Sequence, residues 1–235
     1  MPVLTLTLHA GADRMPELAA VVDETLSCFA DAIRAGGYLG APRDREGELV
    51  AISTVNGTAL RLETTSPLFA THRVLFTHLL AALRYQCLRH QISVSTDLID
   101  VGLAAGSVPA LECVEPADVA VLPFATDVCW GNRRSSLIIE FSTAIEMTAV
   151  RDLDGRVRAW SRLTRCGAYC TPDQFSEFDE DLEVGVDVDL PCVGHDFIEW
   201  SLLSVGVPQD AVPPLTHLVA QSDGGARRIA AMLIG

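Results

Sequence analysis

Apolar and polar residues alternate from the start of the chain: Val3 and Leu4 lead in, then Leu6 and Leu8 fall on one side and Thr5 and Thr7 on the other. A period of two predicts a half-buried strand. The period then lengthens. Asp13 is placed to cap a helix with Pro16 in its first turn, and Leu18, Val22, Leu26, Phe29 and Ile33 make one helical stripe ended by Gly36-Gly37. Asn56-Gly57 next divides two strand-like runs, 48–55 and 58–64, as a two-residue hairpin loop does. Setting Val55 opposite Thr58 puts Leu49, Ala51, Ser53 and Val55 on one face with Leu60 and Leu62.

Ser66-Pro67 opens a second predicted helix, striped by Leu68, Leu75, Phe76, Leu79, Leu83 and Cys87, and 91–101 returns as a strand. Strand, helix, hairpin, helix, strand is the split βαβ order, whose commonest outcome is the ferredoxin-like sandwich. The fold class expected is therefore α+β, with a ferredoxin-like N-terminal half. This topology resembles the palm of nucleotidyl cyclases and polymerases. Those enzymes need carboxylates on the first strand and at the hairpin, where this chain has His9 and Asn56.

The second half predicts strands at 119–124, 137–150 and 157–165. A hairpin at Asp154-Gly155 joins the last two, setting Ile145 opposite Leu163 and Glu146 opposite Arg162. An acidic loop follows, then helical patterns over 196–205 and 226–234 with Pro208, Pro213 and Pro214 between them. No internal repeat is evident. The expected division is 1–115 and 116–235, the two parts being able to share one core.

Composition narrows the function classes. Hydrophobic residues make up 49% and charged residues 20% of 235, the balance of a globular chain. Mean hydropathy is +0.28, but Arg, His, Thr or Asp interrupts every apolar run before the ~18 residues of a membrane helix. With no basic, signal-like start, a soluble cytoplasmic protein is expected. Seven scattered cysteines argue for reduced thiols over a disulfide scaffold, with Cys28 and Cys87 on apolar helical stripes. The net charge of -14 disfavours nucleic acid and anionic membrane as partners. All 17 basic residues are Arg, which excludes Schiff-base lysines and Walker-type phosphate lysines. Only two Asn accompany them, as a GC-rich genome would give; evasion of a lysine-directed tagging system is the functional alternative.

Two groups of residues carry candidate chemistry. Cys166, Cys170, Cys192 and His195 offer three thiolates and an imidazole, a donor set for tetrahedral zinc, although CxxxC is looser than the usual knuckle. Eight acids and no base lie between Asp173 and Asp189. Of these, Asp179, Glu180, Asp181, Glu183, Asp187 and Asp189 would steer the chain to a protein partner with a basic surface. No nucleophile elbow, zincin helix or dinucleotide loop is present. The reading preferred is a non-catalytic interaction or regulatory protein, with homo-oligomerisation left open. Its alternative is a zinc-supported enzyme or small-ligand binder with its site in 166–196.

Overall fold

The computed structural model describes residues 4–36, 51–55, 57–64, 73–100, 124–129, 133–170, 184–205, 211–220, 222 and 229–235. The fold is mixed α+β, with ten strands and four helices among these residues. The first half runs β1 (Leu4–His9), α1 (Met15–Gly36), β2 (Ala51–Val55), β3 (Ala59–Thr64), α2 (Arg73–Arg89) and β4 (Ser95–Asp100). Its sheet has the order β2-β3-β1-β4 with every neighbouring pair antiparallel. The leucines predicted to face inward do so: Leu6 pairs with Leu62 and Leu8 with Leu60, all four buried. Leu18, Val22, Leu26 and Phe29 of α1 are buried likewise.

The hairpin register is one residue away from the expected one. Val55 pairs with Ala59, not Thr58, so Ile52 and Thr54 share the register of Leu62 and Leu60 in place of Ala51 and Ser53. Gly57, between Val55 and Ala59, sits at φ +66, a left-handed conformation that glycine adopts without a Cβ penalty. The Ser66-Pro67 start of the second helix lies outside the described residues, as does the run 119–123; Leu79, Leu83 and Cys87 are buried on α2 as its stripe predicts.

The second half departs from the sequence reading. Its elements are β5 (Ala125–Val128), β6 (Arg134–Phe141), α3 (Met147–Arg165), β7 (Gly185–Val188), β8 (Cys192–Val193), β9 (Phe197–Val205), α4 (Val212–Ala220) and β10 (Ile229–Ile234). The hairpin expected at Asp154-Gly155 is instead the middle of α3. Val150, Leu153, Val157, Trp160 and Thr164 are buried along one helical stripe, and exposed Gly155 has nothing within 4 Å of where a Cβ would stand. Asp152 to Arg156 and Asp154 to Arg158 form ion pairs one turn apart, at 3.1 and 2.9 Å, that stabilise the helix further. The runs expected to be helices near the C-terminus are strands. On β9, Ile198, Trp200, Leu202 and Ser204 point inward at a period of two. Pro213 and Pro214 do not break the chain but lie in the first turn of α4, where their missing N–H groups have no helical role.

The second sheet has the order β5-β10-β6-β9-β7, with β8 also on β9 and β5 parallel to β10. Within it β6-α3-β7-β9-α4-β10 gives the order β7-β9-β6-β10, all antiparallel. This repeats the order of the first half, helix for helix and strand for strand, without a visible sequence repeat. The helices of the two units meet: α1 lies against α2 and α3, and α3 against α4. One continuous cluster of buried apolar side chains runs through both halves. Among the described residues no helix is long and apolar enough to cross a membrane.

Candidate functional site

Two regions gather side chains of functional interest: the seam between the units and the outward face of the second sheet. The seam forms where α3 ends. Cys166, Gly167 and Ala168 close the helix through N–H bonds back to Arg162, Thr164 and Leu163, with Gly167 in the left-handed region at φ +78. The resulting turn, 166–170, lies against α1 and α2. Tyr85 of α2 packs directly on Gly167, where a Cβ would overlap its ring, and the Tyr85 hydroxyl accepts the Val184 N–H at 3.0 Å. His78 stands edge-on to Tyr169 with ring centroids 5.0 Å apart, and burial lowers its pKa to about 4, keeping it neutral. Arg162 reaches across to Asp31 of α1 at 2.7 Å.

The cysteines of the seam differ in environment. Burial pushes the Cys87 thiol up to about 11 and that of Cys170 up to about 12, so both are held as inert thiols. Cys28 of α1 and Cys166 stand with their sulfurs 3.0 Å apart, the Cys166 S–H donating to Cys28. That hydrogen bond holds Cys28 below the usual thiol range against burial and the Glu24 carboxylate, and it pushes Cys166 up. This pair was invisible in the sequence, where 138 positions separate its members.

The proposed zinc donors do not converge. Among the described residues, which include all four, no three His, Cys, Asp or Glu side chains gather as metal ligands would. Cys166 and Cys170 are buried at the seam, whereas Cys192 on β8 and His195 beside β9 are exposed. Of the acidic stretch, Asp179, Glu180, Asp181 and Glu183 lie outside the described residues. Asp187 pairs with Arg165 at 3.0 Å, and exposed Asp189 accepts a hydrogen bond from Arg158 through its backbone carbonyl.

The second sheet presents an acidic, partly apolar outer face. Strand register aligns Asp127 with Leu233, Leu233 with Ile138, Ile138 with Glu199, Glu140 with Phe197 and Asp187 with Leu203. Leu203 is 42% exposed, and Ile138, Phe197 and Leu233 are half-buried. Around them stand the carboxylates of Asp127, Glu140 and Glu199, Asp187 in its ion pair with Arg165, and the guanidinium of Arg134, which pairs in register with Leu203. Ser136 donates to Glu199 at 2.8 Å within this face. By contrast, Thr7 and Arg61 face outward on the first sheet. The sequence signal for the acidic face was the period-two pattern of β6 and β9, which the helical reading of 196–205 concealed. Compared with known proteins, the chain matches no family model and no curated protein.

Proposed function

We propose that this chain is a non-catalytic interaction or regulatory protein that docks a protein partner with a basic surface on the outward face of its second sheet. Each half is read as a ferredoxin-like unit, the boundary falling between 1–115 and 116–235, with the two units packed helix to helix. The observation that carries the reading is the outer face itself. Leu203, Ile138, Phe197 and Leu233 supply apolar area to exclude water, and Asp127, Glu140 and Glu199 supply negative charge around it. The chain's net charge of -14 extends the attraction beyond the face. The same charge argues against a second copy as occupant, because two such faces would meet acid to acid, and against nucleic acid. Cytoplasmic action is the setting read from the scattered, odd-numbered cysteines.

The test compares wild type with a Leu203→Arg/Glu140→Arg double variant, both immobilised and exposed to extract of the producing cells. Both substitutions are on solvent-facing positions, so the variant should melt within about 2 °C of wild type. The expected result is a basic-surfaced protein recovered at least tenfold better on wild type, with purified-component binding that weakens as salt rises. Equal recovery on both proteins, or binding indifferent to salt, removes the face from the account.

A further inference from the structure

We infer that Cys28 and Cys166 form a peroxide-oxidisable dithiol whose disulfide bolts the first unit to the second. The two sulfurs approach to 3.0 Å from separate elements, Cys28 on α1 and Cys166 just past the end of α3. Only about 1 Å of closure separates this contact from the ~2.05 Å of a covalent S–S bond. Both ends are anchored in well-packed surroundings: α1 lies against α3, Arg162 binds Asp31 one turn from each cysteine, and the left-handed Gly167 fixes the chain after Cys166.

The two thiols are unequal in a way that suits stepwise oxidation. Cys28 is half-buried and so retains access to a small oxidant, whereas Cys166 is 8% exposed. The Cys166 S–H and the nearby Arg162 guanidinium favour the Cys28 thiolate, the form that attacks peroxides. In the first step Cys28 sulfur attacks a hydroperoxide; the O–O bond breaks, Cys28 becomes a sulfenic acid and the alcohol or water leaves with a proton. In the second step Cys166 sulfur attacks that sulfenic sulfur. An S–S bond forms, the S–O bond breaks, and the hydroxyl departs as water with the Cys166 proton. Two thiols are oxidised by two electrons and one peroxide is reduced; a dithiol reductant reverses the change by exchange.

The loop closed by this bond spans most of the chain, so the oxidised protein resists unfolding more than the reduced one. Among the described residues, exposed Cys129 and Cys192 are the competing targets. The experiment treats the full chain, and a Cys129→Ser/Cys192→Ser version of it, with hydrogen peroxide. Alkylation of remaining thiols and peptide mass mapping follow, beside thermal melting. The expected result is a Cys28–Cys166 linked peptide pair, two hydrogens lighter, formed in monomer and reversed by dithiothreitol. The melting temperature rises by roughly 5–10 °C on oxidation, and Cys28→Ser or Cys166→Ser abolishes the rise. The wild-type mapping requires no variant to fold. Both thiols remaining alkylable after peroxide, or a disulfide forming through any other pair first, overturns the inference.

Discussion

Placing a methyl group on Gly167 tests how tightly the two units are joined. At φ +78 an L side chain costs about 1 kcal/mol from backbone strain alone. The added Cβ would also overlap Cβ, Cγ and Cδ1 of Tyr85. That ring is 1% exposed, and its hydroxyl is committed to the Val184 N–H, so it cannot swing aside without losing the bond. Overpacking of this kind costs about 1–3 kcal/mol. Gly167→Ala should therefore destabilise the protein by about 2–4 kcal/mol. In a Tyr85→Ala background the overlap is gone, and the same substitution should cost only the backbone share of about 1 kcal/mol. Urea unfolding followed by the fluorescence of the fully buried Trp160 and Trp200 measures all four corners of the cycle. A coupling energy near zero, with Gly167→Ala costing the same in both backgrounds, would refute the packing of α2 on this turn.

Three further outcomes follow from the same geometry. Gln91 holds φ 52 at the end of α2, where the Ile92 N–H returns to Cys87 and the Gln91 N–H to Leu88; Gln91→Gly should stabilise by about 0.5–1 kcal/mol in urea unfolding. His78 is neutral in the fold down to about pH 4 but takes up a proton near its ordinary 6.5 when unfolded. The unfolded state thus binds more protons between those values, so stability is full above pH 6.5 and falls toward pH 4. Because His78 retains some solvent contact, the loss is at most about 3 kcal/mol, and a melting series in His78→Phe should flatten it. Buried Arg156 donates to Asp152 at 3.1 Å and to the Leu218 carbonyl at 3.3 Å, tying α4 to α3; Arg156→Ala should cost about 3 kcal/mol, and Arg156→Met, which keeps the packed stem, distinctly less in the same assay.

What the sequence disclosed followed the strength of its local signals. The Leu/Thr alternation of β1 and the stripe of α1 each satisfy one period and exclude the other, and both were legible. Asn56-Gly57 located a turn correctly but implied two loop residues where three stand between Val55 and Ala59. In α3 the Asp154-Gly155 dipeptide outweighed a stripe that was present throughout; a glycine inside a helix costs about 1 kcal/mol relative to alanine but is tolerated and need not turn the chain. On β9, Ile198, Leu202 and Val205 match helical spacing, while burial obeys the alternation of Ile198, Trp200, Leu202 and Ser204. β10 is six residues of Ile, Ala, Met and Leu, a run too short and uniform for period to decide. The Cys28–Cys166 contact and the repeated strand order depend on tertiary packing, and neither leaves a local trace.

The most direct test of the docking face uses the absence of lysine. A carbodiimide joins carboxylates to lysine amines without a spacer, and in this chain no lysine competes. Every link from a carboxylate of this chain to a lysine, found after treating the protein in extract of its producing cells, therefore reaches another protein. Links concentrated at Asp127, Glu140 and Glu199, and lost in Leu203→Arg, are the predicted result. Links that avoid these three acids and survive that substitution would contradict the assignment of the second sheet as the partner-binding surface.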